Sequence, residues 1–186
     1  AIHGIAFKGY SQLLLTLKKI KMESNKLTQS ELKGFANRIN QLADIAHLNS
    51  SNKGFWDDYR HVAGSIVRGA IDPQECEAHK QYYDDQWFAK NMAEAMGELG
   101  EALEARRANA KPKVNIIEKY LEAVRSGGDQ KINFEVYIKD SEGDEIADCI
   151  IRLLQFCSGM GIDIGNHIML KMEYNSKREY KHGKKY

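Results

Sequence analysis

Apolar residues recur at helical spacing along most of this 186-residue chain. In residues 28–48 a large apolar side chain follows every three or four positions, which predicts an amphipathic helix that Thr28 or Ser30 can cap. The same periodicity predicts a basic helix over 8–22 and further helices over 57–70, 85–108, 114–125, 142–159 and 163–177. Residues 49–54 are predicted to end the helix over 28–48, and Asp72-Pro73 is typical of the start of another short helix.

Residues 131–139 (KINFEVYIK) depart from the helical pattern. Their apolar and polar residues alternate one by one, which is the period of a strand. One strand cannot form a sheet, so we expect an extended arm that would pair with a partner subunit. The prediction is an all-α helical bundle, a single domain over 1–186 with a strand-like segment near 131–139. Within it, about 1–58 forms an N-terminal helical portion and about 85–180 the core.

Composition narrows the class of protein. Apolar residues make up 42% and charged residues 28% of the chain, which is ordinary for a soluble globular protein. The formal net charge of +1 makes the whole molecule a poor partner for nucleic acid. The three cysteines, Cys76, Cys149 and Cys157, indicate small buried hydrophobic residues in a reducing compartment. No apolar run is long enough to span a membrane and "LLLTL" is too short for a signal peptide, so we expect a cytoplasmic protein.

The segment DEIADCIIRLLQF (144–156) predicts a helix that is apolar around most of its circumference, with one narrow acidic stripe. Glu145 and Asp148 lie on that stripe at i, i+3 spacing. Because burying an unpaired carboxylate costs several kcal/mol, solvent, a neighbouring cation or a metal ion must compensate them. An ion pair between Asp148 and Arg152 is the alternative that requires no ligand.

Glu98 and Glu101 repeat this spacing in GELGEALEARR. Their acidic side lies opposite a stripe of methionine and leucine, so a solvated acidic face is the alternative here. If two such helices face each other across a bundle, four carboxylates form an oxygen-rich site that suits Mg²⁺ or Mn²⁺. No histidine stands at a spacing that favours zinc.

The last predicted helix supplies positive charge. Lys171, Asn175 and Arg178 fall on one of its faces, and Lys181 and Lys184 follow. Lysine, arginine and an amide on one face suit a phosphate chain. The alternative is a solvated basic tail, or a surface patch that binds anions or a membrane loosely.

These motifs together resemble a known family. GELGEALEARR followed by DEIADCIIRLL resembles the ExxE…ExxD signature of the MazG-like, all-α nucleoside triphosphate pyrophosphohydrolases. The segment from Gly161 to Tyr186 is similar to the closing helix and tail of that superfamily, and IAHLNSSNKGFWDD (45–58) to a segment often found upstream. The resemblance covers most of residues 40–186 in patches. Residues 59–93 and the interval between Glu101 and Glu145 are longer than is usual in the family.

The resemblance implies an activity and a set of site residues. The activity is Mg²⁺-dependent hydrolysis of an NTP or dNTP to the monophosphate and pyrophosphate, in a homodimer or a dimer of dimers. Glu98, Glu101, Glu145 and Asp148 match the Mg²⁺ ligands, and Lys171 and Asn175 match polar positions that face the phosphates or sugar. Arg178, Lys181 and Lys184 are additional candidates, and Trp56 is a candidate for stacking on a base, with a packed aromatic as its alternative. The competing hypothesis is a non-enzymatic interaction or nucleic-acid-binding module that uses the basic C-terminal end.

Overall fold

A computed structural model describes residues 28–69, 72–108 and 115–178 of the chain, and within these ranges the fold is all-α. The described helices are α1 (Gln29–Asn52), α2 (Asp57–Gly69), α3 (Pro73–Arg107), α4 (Ile116–Arg125), α5 (Gln130–Tyr137), α6 (Glu142–Gly159) and α7 (Ile164–Ser176). This confirms the predicted fold class. The basic helix predicted over 8–22 lies outside the described residues, as do Lys181 and Lys184.

The strand predicted over 131–139 is wrong, because these residues form the short helix α5. Asp129 caps α5, and its side chain accepts a hydrogen bond from the Ile132 backbone N–H at 2.9 Å. Phe134 then meets Tyr120 of α4 edge to face, with 6.3 Å between ring centroids. A capped helix satisfies its own backbone hydrogen bonds, whereas a lone strand cannot. The extended arm predicted to pair with a partner subunit is therefore absent at these residues.

Two predicted helices prove to be one. Asp72 caps α3 through a hydrogen bond from the Gln74 N–H to its side chain at 2.8 Å, and Pro73 opens the helix, as predicted. The helix then continues for 35 residues to Arg107, so the prediction of a separate short helix before residue 85 is wrong. Helix α1 also continues beyond its predicted end at residue 48 and runs to Asn52. The chain then turns at Gly54, which has a φ of 83°.

The described chain divides into two compact units. One comprises residues 28–40 and 164–178. In it, Gly165 of α7 packs directly on α1, because a Cβ at this position would overlap the Ala36 carbonyl oxygen. The Gly165 N–H donates to the Asn40 Oδ1 at 2.7 Å. The close approach therefore requires a glycine at the start of α7.

The second unit comprises the described residues from 41 to 163, and its main helix pair is α3 with α6. Its buried aromatic cluster contains Trp56, Trp87 and Phe156. The Trp56 and Trp87 rings meet at an angle, with 5.6 Å between centroids. Gly159 ends α6 beside this cluster, where the Trp56 ring occupies the space that a Cβ would need. The cluster therefore fixes the end of α6 against the turn that follows α1.

Two expectations from composition can be compared with the structure. All three cysteines are free; Cys149 is buried, whereas Cys76 and Cys157 are only partly buried. Among the helices of the described ranges, none has the length and apolar character needed to cross a membrane.

Candidate metal centre and adjoining cavity

The buried face of α3 carries small and polar side chains. It consists of Trp87, Asn91, Ala95, Glu98 and Ala102, which recur every three or four residues. Met96, Leu99 and Leu103 of the same helix face outward, and Met96 is 71% exposed. The alternative of a solvated acidic face is therefore wrong for Glu98, which is the inward-facing residue.

The facing side of α6 is also acidic. Glu145 is only 7% exposed, and Cys149 and Phe156 follow it on the buried side of the helix. One carboxylate oxygen from each of Glu98, Glu145 and Asp148 lies within 4.8 Å of the other two. The prediction that the carboxylate pairs of α3 and α6 face each other is thus confirmed for these three residues.

These side chains line an open groove of about 640 Å³, which we call the acidic groove. Seven carboxylates and three cationic side chains line it, a formal excess of four negative charges. They are Glu98, Glu101, Glu135, Asp140, Asp144, Glu145 and Asp148, with Lys131, Lys139 and Arg152. Glu101 is exposed and stands outside the three-oxygen group. Lys131 and Lys139 pair with acidic neighbours close in sequence, so most of the negative charge lacks a cation.

Burial and repulsion raise the pKa of the groove carboxyls. The pKa of Glu145 is raised above its ordinary value first by burial and then by the charges of its acidic neighbours, Glu101 foremost. Burial and then the Asp144 charge raise the pKa of Asp148, against the opposing effect of Arg152. Among the described residues, no side chain or backbone group forms a hydrogen bond or ion pair with the Glu145 carboxylate. The Glu145 side chain is thus largely buried, while its carboxylate faces the acidic groove, where water or a ligand can complete it.

Arg152 contacts Glu98 and Glu94, and not Asp148 as the alternative without a ligand predicts. Its Nε donates to Glu98 Oε1 at 2.5 Å, and its guanidinium lies 3.1 Å from the Glu94 carboxylate. It therefore bridges α6 to α3, and the proposed Asp148–Arg152 ion pair is wrong. Glu98 is the only member of the three-oxygen group with an ion-pair partner among the described residues.

A second cavity, of about 440 Å³, adjoins the acidic groove and shares Asp148 and Arg152 with it. We call it the aromatic cavity. Its lining combines apolar and aromatic side chains, three amides and two lysines, and includes Trp56, Trp87, Lys90, Asn91, Glu94 and Gln155. A mostly apolar pocket with a few convergent polar groups is typical of small-molecule sites. Sequence reasoning missed this cavity, although Asn91 stands two helical turns from Glu98 on one face of α3.

The predicted nucleotide-binding residues have different outcomes. Trp56 is 3% exposed and its Nε1–H donates to the Ser50 Oγ at 3.0 Å, which confirms the alternative of a packed aromatic. Lys171 and Arg178 flank the Tyr174 ring in the other compact unit, at 5.1 and 5.8 Å from its centroid. Asn175 is exposed on the same helix. A phosphate-binding role for these three residues stays a prediction.

Comparison with models of protein families, with curated proteins and with solved structures finds no match to this chain. The family resemblance therefore rests on the motifs in the sequence and on no wider similarity.

Proposed function

We propose that the acidic groove binds a divalent cation, Mg²⁺ or Mn²⁺, and that the protein is a nucleoside triphosphate pyrophosphohydrolase. The observation that carries this proposal is Glu145, which is buried and unpaired beside Glu98 and Asp148. A buried carboxylate without a counter-charge destabilises a fold, so a cation bound beside Glu145 would stabilise this one. The resemblance of the two motifs to the MazG-like enzymes supports the choice of reaction.

The carboxylate group suits a small hard cation. Oxygens on opposite sides of a Mg²⁺ ion stand about 4.2 Å apart, since each lies about 2.1 Å from the metal. A group whose oxygens lie within 4.8 Å of one another reaches that geometry with small side-chain rotations. All of its ligand atoms are carboxylate oxygens, which favour Mg²⁺ or Mn²⁺ over zinc.

In this proposal Glu98, Glu145 and Asp148 hold the cation, which would neutralise charge on the phosphoryl oxygens and favour ionisation of a water. Glu101 lies at the groove's edge outside the three-oxygen group, so it is free to accept the proton of that water. The oxygen of the water bonds to the α-phosphorus, and the bond to the bridging oxygen of the α,β-anhydride breaks, releasing pyrophosphate. The nucleoside lies in the aromatic cavity, where Asn91 and Gln155 present amides to it.

The test is a pyrophosphate-release screen over canonical and modified nucleotides, with and without Mg²⁺. Glu145→Gln and Asp148→Asn are expected to lose turnover by a hundredfold or more, on the order of the loss when a metal or transition-state contact is removed. Glu104→Gln is the matched control, because Glu104 is an exposed carboxylate of α3 that pairs with Arg107 and lies outside the acidic groove. Unchanged turnover in the groove variants would contradict the proposal. Salt-sensitive nucleic-acid binding with no Mg²⁺-dependent pyrophosphate release would instead favour the interaction-module hypothesis.

We further propose that the chain assembles with a second copy through the outward apolar faces of α3 and α6. Large apolar side chains line these faces, and Met96, Leu99 and Leu103 of α3 and Ile146 and Ile150 of α6 are all at least 40% exposed. An apolar surface that extends over two neighbouring helices marks an interaction site. Light scattering after size exclusion is expected to give a dimer or larger assembly for the wild type and a smaller species for Leu99→Glu. Val67→Glu, at an exposed apolar site on α2, is the control and is expected to keep the wild-type mass.

A further inference from the structure

Arg152 lies between the acidic groove and the aromatic cavity and lines both. Its guanidinium holds Glu98 on one side and Glu94 on the other. Glu98 is buried and belongs to the three-oxygen group, whereas Glu94 is about two-fifths exposed and lines the aromatic cavity. The same arginine therefore touches one carboxylate of each cavity.

A divalent cation and Arg152 compete for Glu98. The Nε–H of Arg152 points at Glu98 Oε1, and a metal ion bound by the three-oxygen group needs lone pairs of the same carboxylate. A cation and the Arg152 guanidinium would also repel each other when both contact the Glu98 carboxylate. Cation binding therefore weakens the Arg152–Glu98 ion pair.

Glu94 determines where the released arginine stays. The Arg152 guanidinium keeps its contact with Glu94, whose other oxygen lies 3.8 Å from Lys90. Because Glu94 and Lys90 both line the aromatic cavity, Arg152 remains at the mouth of that cavity with free N–H groups. A guanidinium in that position is suited to bind a phosphate with two parallel hydrogen bonds.

We propose that Arg152 is an exchangeable counter-ion that couples cation binding to anion binding. Without a cation it pairs with Glu98; with a cation it turns to the phosphate chain of the ligand in the aromatic cavity. This inference rests on the proposed function of the groove as a cation site. Coupling of this kind is reciprocal, so the phosphate ligand also increases the affinity for the cation.

The test compares Arg152→Gln with Arg106→Gln. Arg106 also bridges α3 to α6, through Glu142 at 2.7 Å, but outside both cavities. Mn²⁺ affinity is measured by electron paramagnetic resonance without any anion, and the affinity for inorganic tripolyphosphate by calorimetry at saturating Mg²⁺. For Arg152→Gln we expect about tenfold tighter Mn²⁺ binding and about tenfold weaker tripolyphosphate binding, as for the loss of one charge-assisted contact. Arg152→Lys is expected to fall between these values and the wild type, and Arg106→Gln to match the wild type in both.

The outcomes separate this inference from the proposed function. If the wild type binds Mn²⁺ and Arg152→Gln binds it no more tightly, the exchange is refuted while the groove remains a cation site. If the coupling is found but no nucleotide releases pyrophosphate, the inference stands and the proposed reaction is refuted. A wild type that binds no Mn²⁺ would refute both.

Discussion

Replacing Glu145 with glutamine is expected to stabilise the protein without a cation and to abolish its stabilisation by Mg²⁺. The glutamine keeps the size of the side chain and removes one negative charge from the group that Glu145 forms with Glu98 and the exposed Asp148. Two effects that raise the pKa of Glu145, burial and repulsion from its neighbours, both disfavour its charged form in the folded state. Removing the charge therefore removes a destabilising term.

The size of this effect has an upper limit. At pH 7, protonating a carboxyl group with an ordinary pKa of 4.5 costs about 3.4 kcal/mol. If the fold disfavours the charged form by more than this, the group takes up a proton instead, so its charge cannot destabilise the fold by a larger amount. A charge pair 4.8 Å apart repels by about 3.5 kcal/mol at an effective dielectric constant of 20, and Arg152 offsets part of this. We therefore expect Glu145→Gln to raise the free energy of unfolding by about 1 to 2 kcal/mol, or the Tm by about 2 to 8 °C.

The dependence on pH follows from the sign of the pKa change. Because the folded state raises the pKa of Glu145, it binds a proton more readily than the unfolded chain. The wild type is thus relatively most stable below pH 4.5 and loses that stability as the pH rises through the raised pKa. The advantage of Glu145→Gln is expected to be largest at pH 7 and to vanish near pH 4.

Thermal unfolding followed by circular dichroism measures these differences. It is carried out at pH 7 and pH 4, without Mg²⁺ and with Mg²⁺ at about 100 times its Kd. The wild type is expected to gain about 2.7 kcal/mol from Mg²⁺ at pH 7, and the variant very little. Glu104→Gln, the exposed control, is expected to stay within about 0.5 kcal/mol of the wild type. A variant that is less stable than the wild type at pH 7, or that keeps the full Mg²⁺ effect, would refute the reasoning.

Three further predictions concern the second unit. Tyr59→Phe removes the 2.7 Å hydrogen bond from the Tyr59 hydroxyl to Asp84 and is expected to cost about 1 kcal/mol at pH 7 in urea unfolding. Burial, with Asp84, raises the pKa of Tyr59 to about 12, so the wild type should lose this advantage as the pH rises from 10 towards 12, and an advantage that persists there contradicts the assignment. Gly159→Ala forces a methyl group against the Trp56 ring and is expected to cost about 1 to 3 kcal/mol. Gly97→Ala, in open space within α3, is expected instead to stabilise by up to about 1 kcal/mol, and a loss there would contradict the helix geometry.

The sequence predicts the helices well where periodicity and caps agree. Helix α6 was expected over 142–159 and is observed there, with Ser141 as its cap. The strand prediction for 131–139 is wrong because alternation over nine residues is also compatible with a short helix once Asp129 caps it. A strand further requires a partner strand, which one chain segment cannot reveal.

The acidic pairs were found from spacing alone, because i, i+3 carboxylates must share a face of a helix. Which face of α3 turns inward was not predictable in the same way. Both faces carry apolar residues: Ala95 and Ala102 beside Glu98 on one, and Met96 and Leu99 on the other. From hydrophobicity alone, the face with Met96 and Leu99 would be expected in the core, yet the face with Glu98 is the buried one. Arg152 was placed beside the carboxylates correctly, but its partner Glu98 lies on another helix, which local spacing cannot identify.

The orientation of α3 is itself an argument about function. Alanines at the buried face bring α3 close to α6, and that closeness places Glu98 beside Glu145 without any hydrogen bond to the latter. Burying this face leaves Met96 and Leu99 exposed, although it also holds Trp87 in the aromatic cluster with Trp56 and Phe156. In the functions that we propose, a cation would compensate the inner face and a second copy would cover the outer one. The same inversion therefore supports both proposals, and it predicts that metal binding and assembly stabilise each other.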